Sequence, residues 1–153
     1  MANLSVGDAA PNFTANNQDN KSITLSDFKG KKVILYFYPK DNTPGCNAEA
    51  CSFRDNYQLF TSKGFEVMGV STDDEKSHKK FETKFELPFT LIADTDKAIV
   101  EAYGVWVEKS MYGKTYMGTA RKTFVIDENG KITLIVDKVD TKNASQQLMD
   151  LLK

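Results

Sequence analysis

Residues 31–39, KKVILYFYP, are apolar, β-branched or aromatic at every position between the two lysines and the proline. A half-exposed strand alternates apolar with polar residues, so an unbroken run fits a strand covered on both faces, in the middle of a sheet. Pro39 ends it, because proline has no N–H to give to a ladder. DNTPG (41–45) follows and is turn chemistry. CNAEACSFRDNYQLFTSKG (46–64) then reads as one helix, with Ala48, Cys51, Tyr57 and Phe60 on its buried face and Gly64 at its stop.

The remainder repeats this alternation. FEVMGVST is a second buried strand, and DDEKSHKKFETKFEL a charged surface helix with Phe81 and Phe85 inward. PFTLIAD is a third strand and DKAIVEAYG a short helix closed by Gly104. ARKTFVID and KITLIVD are strands joined by ENG, a hairpin signal. TKNASQQLMDLL is an amphipathic helix with Leu148, Leu151 and Leu152 inward. Upstream, PNFTANNQDNKSITL reads as a small β-hairpin and LSDFKG as a single helical turn. This order predicts an α/β fold: a mixed central sheet with helices on both faces and an N-terminal β-hairpin. A thioredoxin-like arrangement meets that description. A flavodoxin-like doubly wound sheet competes with it, but the closing hairpin argues against that alternative.

A chain of 153 residues without repeats or a Pro/Gly-rich linker is expected to form one domain over 1–153. The 20 basic residues nearly balance the 21 acidic ones. The resulting net charge of -1 gives no footprint for nucleic acid or anionic lipid. No run approaches the ~20 apolar residues of a membrane span, and MANLSVGDAAPNF has no basic, apolar leader. A cytoplasmic protein is expected, where thiols are kept reduced.

That makes the two cysteines conspicuous. Cys46 and Cys51 stand five residues apart at the start of the expected helix. On an ideal helix their Cα atoms would be ~8.7 Å apart, from ~1.5 Å rise and ~100° per residue on a ~2.3 Å radius. A disulfide needs roughly 4.4–6.8 Å. Either the pair never bonds, or bonding unwinds the first turns. Cys46 follows Pro44-Gly45 in the first turn, where free N–H groups and the helix dipole favour a thiolate. Thr43 offers a hydroxyl close by, and Pro39 and Pro44 stiffen the loop. Cys51 could equally be a small buried hydrophobe. Two thiols and one histidine are a poor zinc set, and His78, in a charged helix, is expected to be a solvated surface residue. A Cys–His hydrolase would need a histidine base that this chain does not offer. The spacing is not Cys-x-x-Cys, so ordinary dithiol exchange does not follow. Only Arg54 and Arg121 could bring a guanidinium to the sulfur.

PKDNTPGC matches the peroxiredoxin pattern Pro-x-x-x-Thr-x-x-Cys, with Pro39, Thr43 and Cys46 in register. NAEAC adds the second cysteine, as in the branch of bacterioferritin comigratory protein and plant peroxiredoxin Q. GDAAPNF, FRDNY, GVSTD, YGVW, GKTYMG and RKTFVID extend the resemblance over nearly the whole chain. The resemblance implies a thioredoxin-like fold and a thiol peroxidase for hydrogen peroxide and organic hydroperoxides, with no cofactor or metal. It makes Cys46 the peroxidatic and Cys51 the resolving cysteine. Thr43 would hydrogen-bond the thiolate and the peroxide, Pro39 would shield the sulfur, and Arg121 would steady the thiolate. Glu49 would orient an arginine. Cys46 would become a sulfenic acid, close an intrachain disulfide with Cys51, and be recycled by thioredoxin or a similar dithiol donor. Resolution within one chain suits a monomer. A redox sensor using the same switch and a thiol–disulfide oxidoreductase are the competing functions. GVWVEKSMYGKTYMG is expected either to border the site, to form a partner surface or to fill core.

Overall fold

The structure is a computed structural model and describes residues 4–152. Strand β3 (Lys32–Phe37) is buried at every position after Lys32. It pairs in parallel with β4 (Phe65–Ser71) and antiparallel with β8 (Lys122–Ile126). On one side β5 (Thr90–Ala93) joins β4 in parallel, and the antiparallel hairpin of β1 (Thr14–Asn17) and β2 (Ser22–Thr24) extends that edge. On the other side β9 (Ile132–Val136) closes against β8. The result is one mixed seven-stranded sheet, ordered β2-β1-β5-β4-β3-β8-β9.

Alternation along β3 divides the interior. Ile34, Tyr36 and Tyr38 face a core completed by α1 (Pro44–Asp55), α2 (Tyr57–Ser62), α3 (Glu75–Phe85) and α5 (Ala144–Leu151). Val33, Leu35 and Phe37 face a second core that includes Ile99 and Val100 of α4 (Ala98–Ala102). Helices therefore cover both faces, as the sequence predicted. Tyr36 stacks on Phe53 of α1 with ring centroids 4.8 Å apart, which ties the second half of α1 to the central strand.

Four expectations need correction. The helix expected over 46–64 is two helices, broken at Asn56. There Asn56 Nδ2 donates to the carbonyl of Ser52, the acceptor its own N–H would take in a continuous helix, and that N–H turns to Phe53 instead. Second, the buried residues of α1 are Cys46, Glu49, Ala50 and Phe53, while Ala48, Cys51 and Tyr57 are half-buried. Phe53 seeks the aromatic face of Tyr36, and that rotates the helix. Third, GVWVEKSMYGKTYMG makes a separate antiparallel hairpin of β6 (Trp106–Met111) and β7 (Lys114–Thr119). Tyr112 and Gly113 turn it with φ of 53° and 77°, the left-handed backbone of a two-residue hairpin turn. Trp106 packs against the second core, as one expected alternative had it, whereas Met111, Tyr112, Tyr116 and Met117 are exposed and do not fill core. Finally, Leu151 is exposed rather than inward, whereas Leu148 is buried and Leu152 packs at the core margin.

Gly69 is where the central sheet admits Tyr36. A Cβ there would lie 2.8 Å from the Tyr36 ring and 2.9 Å from its hydroxyl. Alanine in a strand otherwise gains about 0.5–1 kcal/mol over glycine, but overpacking typically costs about 1–3 kcal/mol and wins here because the ring is fully buried. Gly69→Ala is expected to lower stability in urea unfolding; equal or higher stability would refute this packing account.

Candidate active site

The end of β3 and the start of α1 meet the start of β8 because Phe37 pairs with Lys122. That register places Arg121, one residue before β8, over the first turn of α1. Thr43 is the N-cap and Pro44 occupies the first helical turn. Cys46 is the third helical residue, so its N–H is one of those without a helical acceptor. The thiol is buried, 1 % exposed, within the α1-side core.

Arg121 spreads its guanidinium between two groups. Nη2 donates to Cys46 Sγ at 3.3 Å, and Nη1 donates to Glu49 Oε1 at 2.7 Å. Gly45 keeps the guanidinium close, since a Cβ there would stand 3.1 Å from Nη2. Glu49 is fully buried, and its second oxygen has no protein partner. Burial pushes the Glu49 carboxyl up to about 7, against the pull of Arg121. For Arg121, burial works against the cation, but Cys46 and Glu49 together raise its pKa. Lys109 of β6 joins this field: its pKa is lowered by burial and by Arg121, and raised in part by Cys46. The hairpin β6–β7 thus borders the site.

Pro39 is half-buried where β3 ends. Thr43 gives its hydroxyl proton to the Lys40 carbonyl at 3.0 Å, so donation to sulfur or peroxide requires that hydroxyl to turn. Cys51 is half-buried and lies in α1 with Cys46; both thiols are free. Arg54 is committed elsewhere, to Asp55 and to the Phe85 carbonyl.

His78 corrects the sequence reading most sharply. It is fully buried, not solvated. Nδ1 lies 2.7 Å from Asp41 Oδ2 and Nε2 lies 2.9 Å from the Ile92 carbonyl. The missed signal was spacing: His78, Phe81 and Phe85 fall at i, i+3 and i+7, one face of a helix. Asp41, Asp73 and His78 bring ligand atoms within 4.8 Å of one another, the grouping nearest to a metal set among the described residues. Protein donors already fill it. Asp41 accepts from Tyr38, Ser77 and His78, and Asp73 Oδ2 accepts from Ser71 and the Asp41 N–H. The cluster is a hydrogen-bond knot under the Pro39–Thr43 loop.

The model of the AhpC/TSA family matches residues 6–135, and the chain belongs to that family. It is a peroxiredoxin, an enzyme that reduces peroxides with a cysteine thiol and depends on a thiol reductant. Within the family it resembles the Bcp and PrxQ proteins. It is 43% identical to peroxiredoxin Bcp of Escherichia coli over 153 residues, spanning 100% of this chain and 98% of that one. With peroxiredoxin Bcp of Bacillus subtilis the identity is 41% over 150 residues, spanning 98% and 96%. A Xylella fastidiosa PrxQ mutant structure matches with a TM-score of 0.93 at 31% identity, covering 99% of this chain and 97% of that one. These matches bear out the thioredoxin-like peroxiredoxin fold. A Xanthomonas campestris bacterioferritin comigratory protein structure, described for alkyl peroxide reduction, matches at 0.86 with 33% identity over 92% and 89%. Among the described residues no helix is long and apolar enough to cross a membrane.

Two measurements test the site. Arg121→Lys keeps the charge but loses the fork, and is expected to reduce kcat/KM for peroxide by about 10- to 100-fold, or about 1.4–2.8 kcal/mol of barrier. An unchanged kcat/KM would remove Arg121 from the reaction. For Glu49 the folded value of about 7 lies above its ordinary 4.5. The stabilisation from its bound proton is complete below about 4.5 and lost as pH rises through about 7. The Tm of Glu49→Gln relative to wild type should therefore rise across that window, and a constant difference would contradict the burial effect.

Proposed function

We propose that Cys46 is the peroxidatic cysteine and Cys51 its resolving partner within the same chain. The observation that carries this reading is the Arg121 fork, which sets a fixed cation 3.3 Å from the Cys46 sulfur at the N-terminal turn of a helix. The guanidinium and the helix N-terminus both favour the anionic sulfur. The thiolate attacks the terminal oxygen of a hydroperoxide, the S–O bond forms as the O–O bond breaks, and the departing alkoxide or hydroxide leaves protonated as alcohol or water. Negative charge spreads over both oxygens during this step. Arg121, Thr43 with its hydroxyl turned inward, and the Cys46 N–H are the donors aimed there. Pro39 limits water at the sulfur.

The product, Cys46 sulfenic acid, condenses with the Cys51 thiol, forming the S–S bond and releasing water. An intact α1 holds the two residues too far apart to bond, because a disulfide needs Cα atoms within roughly 4.4–6.8 Å and five helical residues span ~8.7 Å. The first turns of α1 must unwind. The half of α1 beyond Cys51 stays in place through Phe53, stacked on Tyr36. Unwinding presents the disulfide to a dithiol donor of the thioredoxin type, which is oxidised as both cysteines return to thiols. The enzyme acts as a single domain and as a monomer, because the reaction needs no group from a second subunit, and its reductant places it in the reducing cytoplasm.

The test is peroxide consumption by wild type, Cys46→Ser and Cys51→Ser with thioredoxin, its reductase and NADPH. Cys46→Ser is expected to lose turnover, and Cys51→Ser to stop at a trappable sulfenic acid. Equal turnover in all three would overturn the assignment. A single oxidation event without turnover would favour a redox sensor.

A further inference from the structure

The segment that unwinds must have a fixed end, and the knot around Asp41 stands where that end is needed. Asp41 is the second residue after Pro39 and is buried. Its Oδ1 accepts from Tyr38 at 2.6 Å, and its Oδ2 accepts from Ser77 at 2.8 Å and faces His78 Nδ1 at 2.7 Å. Its N–H donates to Asp73 Oδ2 at 2.8 Å. Three side chains thus surround the Asp41 carboxyl group. His78 Nε2 faces the Ile92 carbonyl, which can only accept. Both ring nitrogens therefore face acceptors, and the imidazolium alone satisfies both. One residue beyond Asp41, Asn42 has φ of 58°, in the left-handed region where a backbone changes direction. Four residues beyond that hinge stands Cys46.

Resting on the proposed Cys46–Cys51 cycle, we infer that His78 and Asp41 are positioning residues: a buried imidazolium–carboxylate pair that latches the active-site loop to α3 and fixes where α1 unwinds. Closed, the latch holds the loop in the shape that presents Cys46 to peroxide. Loosened, it frees residues 42–46 for resolution. The two half-reactions draw on opposite states of one element, so the latch trades one against the other.

The charged groups around His78 decide the pH sense. Asp41 faces it from the loop, Asp73 from the β4–α3 connection, Tyr38 from just beyond β3, and Glu75 from the start of its own helix; β5 contributes the Ile92 carbonyl. Burial opposes the cation, yet its partners raise its pKa above the ordinary value, led by Asp41. The latch is therefore complete below the ordinary histidine value and weakens as pH rises through the raised one.

The test follows both steps by rapid mixing with hydrogen peroxide and acid quench. Loss of the Cys46 thiol reports attack, and loss of two hydrogens by mass reports the disulfide. His78→Asn keeps a donor for Asp41 but carries no charge. Attack is expected to slow and disulfide formation to accelerate, moving their ratio by at least about tenfold, the size of one charge-assisted hydrogen bond. His78→Asn loses the pH dependence due to the latch, so the wild-type ratio should climb more steeply with pH than the variant's. If His78→Asn does not fold, Ser77→Ala, which removes one donor from Asp41, is expected to shift the ratio the same way by a few-fold. A core variant, Leu148→Ala, serves as a control whose ratio stays at the wild-type value. Both rates falling together, or the same pH profile in variant and wild type, would reduce the pair to ordinary structural residues. Wild type that forms no disulfide at all would overturn the cycle itself, a different failure.

Discussion

One guanidinium bridges a buried thiol and a buried carboxyl group in the protein interior. Arg121 bridges Cys46 and Glu49 in the first turns of α1. Burying an isolated carboxylate or thiolate costs several kcal/mol or more. Burying an arginine without anions costs as much, so the three groups are stable only together. Their meeting depends on the sheet, because β8 must run antiparallel to β3 in the register that sets Phe37 beside Lys122. Glu49 fixes one arm of the fork and leaves the other aimed at sulfur. Its second oxygen has no protein partner, and burial pushes the carboxyl up to about 7.

The same helix is firm at one end and weakly held at the other. Ala50 and Phe53 sit deep in the core, with Phe53 on the ring of Tyr36. The first turn has no side-chain cap, since the Thr43 hydroxyl points back to Lys40. A side-chain cap typically adds about 0.5–2 kcal/mol; without it the turn opens more readily. On the far side of the hinge at Asn42, the polar knot around Asp41 holds the loop to α3. The stretch between these two fixed regions contains Pro44, Gly45 and Cys46, the part of α1 that the proposed Cys46–Cys51 cycle requires to unwind.

Much of the fold was legible because its signals are local. The unbroken apolar run of β3, the turn chemistry at 41–45 and the hairpin at 128–130 each announce an element without reference to distant residues. The errors lie where a polar side chain replaces a backbone or apolar partner. Asn56 breaks a helix by taking a carbonyl from within the chain's own turn. His78 belongs to the same group: residue type said surface, while its place beside Phe81 and Phe85 said interior. The β6–β7 hairpin escaped notice because its turn is Tyr-Gly rather than Asn-Gly, and its strands carry exposed aromatics.

The sequence by itself determined the α/β class, the central strand, and the Pro39–Thr43–Cys46 spacing at the head of a helix, because each rests on periodicity or steric rules acting over a few residues. It also determined that Cys46 and Cys51 cannot bond across an intact helix, since that follows from helix geometry alone. The family resemblance pointed to Arg121 and Glu49, but only the tertiary structure set their contacts with the sulfur and with each other, and made His78 an interior partner of Asp41. Those contacts join residues 37 to 75 positions apart. Their energies depend on burial and distance, and both quantities exist only once the sheet has set its register.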